Sequence, residues 1–263
     1  MPCQEQSGLR LRHRSVSGGS LDRRAELGKD GRRNSEMPSL LKIALEDILQ
    51  ERGLRASAPS QDRRHLPMGR PELDRLLGGG LPRGQTSELL GPASSGRTSV
   101  AFDVVGKVTD RRGSVAWIDT ADGFDPVSAQ GAGVDLSRLL WIRGGRGPAD
   151  ALSALGTFLG SGLFELAVWD LVGIPRRAIL GLPGATWLRL QRMVEGTPAV
   201  LLLLAESHVF RSPRGRTLSL CATEIHWSHH GPGRWLCGVS CCASTGPPPR
   251  EAFFRLGARE GSL

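Results

Sequence analysis

The chain's 263 residues allow one sizeable domain with extensions, and a hydrophobic fraction of 39% is enough to fill its core. Lys and Arg number 34 against 26 Asp and Glu, a net charge of +8 carried almost wholly by arginine, since Lys29, Lys42 and Lys107 are the only lysines. No apolar run reaches membrane-spanning length, the run from Ala199 to Ala205 falling far short, and no apolar leader opens the chain. The five cysteines lack a disulfide-rich spacing, which places the chain in a reducing cytoplasm. A high basic balance favours contact with nucleic acid. The competing explanation is compositional, because Arg, Gly, Ala and Leu are abundant throughout.

Residues 1–36 are rich in Arg, Gly and Ser and have no apolar periodicity, so they are expected to be disordered. They read either as a basic arm or as sequence upstream of a true start at Met37. From 37 to 53 the pattern changes. Leu40, Leu41, Ala44, Leu45, Ile48 and Leu49 form a stripe at helical spacing that Gly53 ends. Residues 54–65 form a polar linker, and residues 66–263 the core domain. Strands are expected near 86–90, 114–119, 138–142, 164–170 and 198–205, with helices near 97–109, 125–132, 148–160 and 184–195. Late strands follow near 217–227, 234–243 and 250–256. The alternation predicts an α/β fold: a mainly parallel, twisted sheet with helices on both faces and a C-terminal antiparallel extension. Ligands of such sheets bind at the carboxyl ends of the strands.

The most informative segment is Gly91-Pro92-Ala93-Ser94-Ser95-Gly96-Arg97-Thr98. A strand leads in through Glu88-Leu89-Leu90. A helix leads out from Ser99, with Val100, Val104, Val105 and Val108 on one face. Strand, glycine loop and helix together make a phosphate cradle of backbone N–H groups at a helix N-terminus. The spacing is that of a P-loop with Arg97 where the lysine belongs. Thr98 supplies a hydroxyl at the magnesium position. A guanidinium is planar and forked, and does not reproduce a lysine's compact point charge.

This block, with Leu81-Pro82-Arg83-Gly84-Gln85 before it, resembles the core of the bacterial RecA recombinase family. So do Ala116-Trp117-Ile118-Asp119-Thr120-Ala121-Asp122-Gly123-Phe124-Asp125-Pro126 and Gly133-Val134-Asp135-Leu136. Met68-Gly69-Arg70-Pro71-Glu72-Leu73-Asp74, Gly78-Gly79-Gly80 and Pro248-Pro249-Arg250-Glu251-Ala252-Phe253-Phe254 extend the similarity from about Leu66 to the end. The resemblance implies a RecA-like P-loop core that holds ATP and magnesium. Gly91, Ser94, Ser95, Gly96, Arg97, Thr98 and Ser99 would line the nucleotide site, with Asp125 near the adenine edge. Asp170, ending the run from Phe164 to Trp169, matches the carboxylate that orients magnesium together with Thr98.

Three departures from the family pattern argue against hydrolysis. Arg97 replaces the P-loop lysine. Ala121 stands where the family has its catalytic glutamate, which orients the attacking water. Ser128 replaces an aromatic that stacks on adenine. The two DNA-binding loops of the family correspond to Val172–Gly184, with Arg176 and Arg177, and to Ser207–Thr217, with His208, Arg211, Arg214 and Arg216. These arginines either neutralise phosphates of single-stranded DNA without reading bases or form a solvated loop. Glu206 takes the place of a glutamine that couples nucleotide to DNA, and Cys242 and Ser244 fall where the family has lysines reaching a neighbour's nucleotide. The helix at 38–52 corresponds to one that packs on a neighbouring subunit; folding back on its own core is the alternative. Cys221, Cys237, Cys241 and Cys242 lack a CxxC pair. They read as small core side chains rather than zinc ligands, even with His226, His229 and His230 nearby.

The pattern is most similar to the degenerate RecA-like ImuA proteins, accessories of translesion synthesis. It predicts a non-hydrolysing, cytoplasmic DNA-damage-tolerance protein that binds an error-prone polymerase partner, RecA or DNA. Two other readings remain: a weak DNA-dependent ATPase and recombinase, and a SulA-like cell-division inhibitor.

Overall fold

A computed structural model describes residues 64–143, 148–210, 212–230 and 233–257, together with Asp47, Gln50 and Glu51. The 1–36 segment lies outside the described residues, as does most of the 54–65 linker. Of the expected 37–53 helix, Asp47, Gln50 and Glu51 are described, and they are helical and exposed.

Two short strands, β1 (His65–Leu66) and β2 (Leu81–Pro82), pair antiparallel around helix α1 (Pro71–Leu77). Pro71 opens that helix, the Asp74 carboxylate accepts the Met68 N–H at 2.7 Å, and Gly78 closes it in the left-handed region at φ 76°. The chain then alternates β3 (Gln85–Leu90), α2 (Arg97–Asp110), β4 (Val115–Asp119), α3 (Pro126–Gly131), β5 (Leu139–Arg143), α4 (Pro148–Ser161) and β6 (Leu166–Asp170). Helices α5 (Arg176–Leu180) and α6 (Gly184–Glu195) precede β7 (Val200–Ala205). The long strands β8 (Thr217–His230) and β9 (Gly233–Thr245) form a hairpin, and β10 (Glu251–Gly257) follows.

The eight-stranded sheet has the order β10-β9-β8-β3-β7-β6-β4-β5. From β8 to β5 every pairing is parallel, and only β9 and β10 run antiparallel to their neighbours. The late strands form the expected antiparallel extension, which joins the parallel sheet where β8 pairs with β3 through Glu88–Leu90. Strands β3, β4, β6 and β7 are buried at every position, as expected of parallel strands covered on both faces. Side-chain alternation divides the core into two layers. Val115, Trp117, Val168 and Leu202 face α2 through Val100, Val104, Val105 and Val108. Ala116, Ile118, Trp169 and Leu203 face α4 and α6 through Leu155, Phe158, Trp187 and Leu190.

Two features of the late segments bear on the site. The stretch from Val172 to Gly184 is not loop throughout, because α5 forms within it and buries Ile179. On β8, Cys221 to Ile225 are exposed on both faces, so the hairpin extends beyond the packed sheet.

Candidate functional site

The loop from Gly91 to Gly96 connects β3 to α2 at the carboxyl edge of the sheet. Gly96 has a φ of 85°, and a Cβ there would overlap Leu256 and come within 3.1 Å of Cys241 Sγ. Only glycine satisfies both the backbone and the close approach of β9 and β10. No side chain caps α2, so its first N–H groups face the loop. A cleft of about 150 Å³ is lined by Pro92, Ser94, Ser95, Gly96, Arg97, Thr98 and Ser99. Ser95 is 2% exposed, and its Oγ has no hydrogen-bond partner within the protein. A buried hydroxyl without a partner is an unfilled acceptor or donor position, which a ligand oxygen satisfies. The sequence-derived cradle residues Ser94, Ser95, Gly96, Thr98 and Ser99 are therefore contiguous around one concavity, whereas Gly91 lies outside its lining and its N–H donates to the Ala205 carbonyl at 3.2 Å.

Arg97 departs from the role of a P-loop cation. It is 5% exposed, and its Nη1 donates to the carbonyls of Gly91 and of Ala205, the latter at 3.2 Å. The guanidinium thereby ties the end of β3 to the end of β7. Burial lowers its pKa, while Asp170 and Glu206 act to keep it charged. Asp170, 7% exposed, has a pKa raised to about 6 by burial, with Asp119 adding to the rise. The Val172 N–H, donating at 2.9 Å, and the charge of Arg97 oppose that rise. Arg97 thus places a positive charge in the neighbourhood of the Asp170 carboxylate.

The neighbouring strand ends are committed elsewhere. Asp119 pairs with Asp170 in the sheet register. Its carboxylate accepts the N–H groups of Gly123 at 2.8 Å and Phe124 at 2.9 Å, and Trp141 Nε1 at 3.2 Å. Ala121 is exposed beside Gly173, where a Cβ would lie 3.3 Å from the Ala121 methyl. Asp122, at φ 59°, forms a two-pronged pair with Arg143, both contacts at 2.8 Å. That pairing lowers its pKa. Asp125 caps α3, accepting the N–H groups of Val127 at 3.2 Å and Ser128 at 3.0 Å, and the Ser128 hydroxyl. Ser128 is therefore an intrahelical partner of Asp125, with both side chains exposed.

The two arginine-bearing segments lie on this same edge. Arg176 and Arg177 are exposed on α5, and Arg214 and Arg216 are exposed after β7; Arg211 lies outside the described residues. A second cavity of about 80 Å³ brings Arg176, Ile179 and Leu180 together with Glu206, Ser207 and His208. Glu88, a residue of the lead-in strand, organises the second segment. It is 1% exposed and accepts the N–H groups of Val209 at 2.9 Å and Phe210 at 2.8 Å. It also contacts His208 Nδ1 at 2.5 Å and Thr217 Oγ1 at 3.1 Å. The available signal was a carboxylate inside a strand leading to the glycine loop, where burial demands partners. Phe210 then stacks on Trp187 at 5.7 Å; Trp187 adjoins Trp169, whose Nε1 donates to Thr120 Oγ1 at 3.0 Å. An aromatic chain thereby links the second segment to the residue before Ala121.

The cysteines only partly match the sequence expectation. Cys241 and Cys242 are buried, but Cys221 is exposed and Cys237 half-buried, because the hairpin outruns the helices that would cover it. No group of three potential metal-ligating side chains occurs among the described residues. No helix among them is long and apolar enough to cross a membrane.

Comparison with known proteins places this arrangement. The chain is 38% identical over 129 residues to the RecA protein of Lactobacillus delbrueckii subsp. bulgaricus, covering 48% of this chain and 39% of that protein. The RecA proteins of Symbiobacterium thermophilum and Streptomyces ambofaciens are 39% and 37% identical over 129 residues, covering 37% and 34% of their lengths. The similarity thus spans well under half of each relative. The RecA N-terminal domain model matches residues 48–194, a span that contains the glycine loop, Ala121, Asp125 and Asp170. The chain belongs to the RecA N-terminal domain family.

Proposed function

We propose that this chain is a RecA-like protein of DNA repair and damage tolerance that acts without hydrolysing ATP. Its closest functional counterpart would be the ImuA proteins, as an accessory to an error-prone polymerase, RecA or single-stranded DNA. The observation that carries the reading is the position of Arg97. A cation whose Nη1 is held by the Gly91 and Ala205 carbonyls is anchored away from a transferring phosphoryl group. Ala121 has no group with which to position water.

Binding is a separate property. The cradle fits a phosphate, through the loop N–H groups and the Ser95 hydroxyl. A divalent metal fits less well. Thr98 and Asp170 would be its protein ligands, but Asp170 already faces the fixed charge of Arg97. Magnesium, when bound beside ATP, supplies charge neutralisation across the outer phosphates. The reading therefore expects nucleotide affinity to change less than about threefold on chelating magnesium, within ~0.6 kcal/mol. Calorimetric titration of ATP with and without chelator checks this; strong tightening by magnesium would contradict it.

The second reading, a weak DNA-dependent ATPase, is favoured by the contiguity of Ser95, Thr98 and the cleft. It requires the Arg97 side chain to leave its two carbonyls.

A further inference from the structure

On the β8–β9 hairpin, Cys221 and Cys242 are directly opposed in the antiparallel register. Their neighbours Leu220 and Ala243, also opposed, point into the core layer that packs on α2. Strand alternation therefore places both cysteines on the other face of the sheet. Directly opposed residues of an antiparallel pair have Cα atoms about 4.5–5.5 Å apart, inside the range a disulfide spans. Cys221 is exposed and Cys242 is 9% exposed, so only the first is open to a reagent. Cys241 points the opposite way, against Gly96. Cys237 falls between Leu236 and Gly238, which pair with Trp227 and His226 at an irregularity of the ladder.

We infer that Cys221 and Cys242 form a reversible dithiol–disulfide site that takes a small-molecule disulfide as its oxidant. The Cys221 thiolate attacks one sulfur of the reagent, forming a mixed disulfide and releasing one thiolate. Cys242 loses its proton to solvent and attacks the Cys221 sulfur, expelling the second thiolate and forming the cross-strand bond. The protein pair gives up two electrons, and the reagent is reduced to two thiols. The site sits one residue from the strand position that backs the glycine loop, so the bond would stiffen the support of Gly96. The inference rests on the hairpin alone and is independent of nucleotide chemistry.

The test uses the full chain, reduced, freed of reductant and treated with 4,4′-dithiodipyridine under native conditions. Peptide mapping after trypsin digestion is expected to show residues 217–234 linked to 235–250, with fragmentation locating the bond at Cys221–Cys242. Cys237→Ser is expected to retain the link. Cys242→Ser is expected to leave Cys221 as a stable mixed disulfide, and Cys221→Ser to leave Cys242 unmodified. The oxidised parent is expected to melt several degrees higher than the reduced form. A link through Cys237, or a parent whose Cys221 stops at the mixed disulfide, would overturn the assignment.

Discussion

Two buried carboxylates do opposite work in this site. Asp170 is held protonatable, with a folded-state pKa of about 6 against an ordinary value near 3.8. A raised carboxylate binds protons in the folded state over the interval from about pH 4 to 6, so its contribution to stability falls as pH rises through that window. Replacing it by asparagine removes this dependence. The stability of Asp170→Asn relative to the parent should rise by about 2 kcal/mol between pH 4 and pH 7, measured by denaturant unfolding at each pH. A flat difference would show that Asp170 is not desolvated. Glu88 carries instead a full set of donors from the segment after β7. Glu88→Gln turns one acceptor oxygen into a donor facing other donors. It should cost about 2–3 kcal/mol, and limited trypsin digestion should cleave faster between Ser207 and Thr217. Unchanged cleavage would separate that segment from Glu88. The partners of neither carboxylate could be read from the sequence, because they depend on which neighbours the sheet order brings into reach. The direction taken by Arg97 was equally hidden. Residue type showed that the lysine was replaced, but not that the guanidinium would turn to the Gly91 and Ala205 carbonyls.

At the scale of elements, the strands were the most legible part. Leu166–Asp170 and Val200–Ala205 are continuous apolar runs because helices cover both faces of a parallel sheet, and such runs stand out against polar surroundings. The helices of the core were legible through their 3.6-residue periodicity, as with the valines of α2. Two short helices were missed. α1 and α5 have seven and five residues, too few for a period to register, and prolines flank or open both. α5 and the segment after β7 carry the arginines assigned to nucleic acid. If they bind single-stranded DNA, affinity should fall steeply with salt and show no sequence preference. Replacing Arg211, Arg214 and Arg216 together by alanine should reduce the slope of log affinity against log salt by about two, as fluorescence anisotropy over a salt series would report. An unchanged slope would remove that segment from the DNA site.

Over the whole molecule, the glycine loop, Ala121, Asp170 and both arginine-bearing segments meet at one edge of the sheet because parallel strands deliver their carboxyl ends together. The RecA-like fold is present; the departures that bear most directly on phosphoryl transfer are two side chains. Arg97 is tied to backbone carbonyls, and Ala121 offers no base. Charge neutralisation and water positioning are each worth several kcal/mol in phosphoryl transfer, so losing both should lower turnover by about 10⁴-fold or more. The most direct measurement is phosphate release from ATP by the purified chain, with and without single-stranded DNA, beside Arg97→Lys, Ala121→Glu and the double variant. The parent is predicted to remain at background in both conditions, with any recovery confined to the double variant. DNA-stimulated release by the parent, abolished by Thr98→Ala, would contradict the non-hydrolysing account.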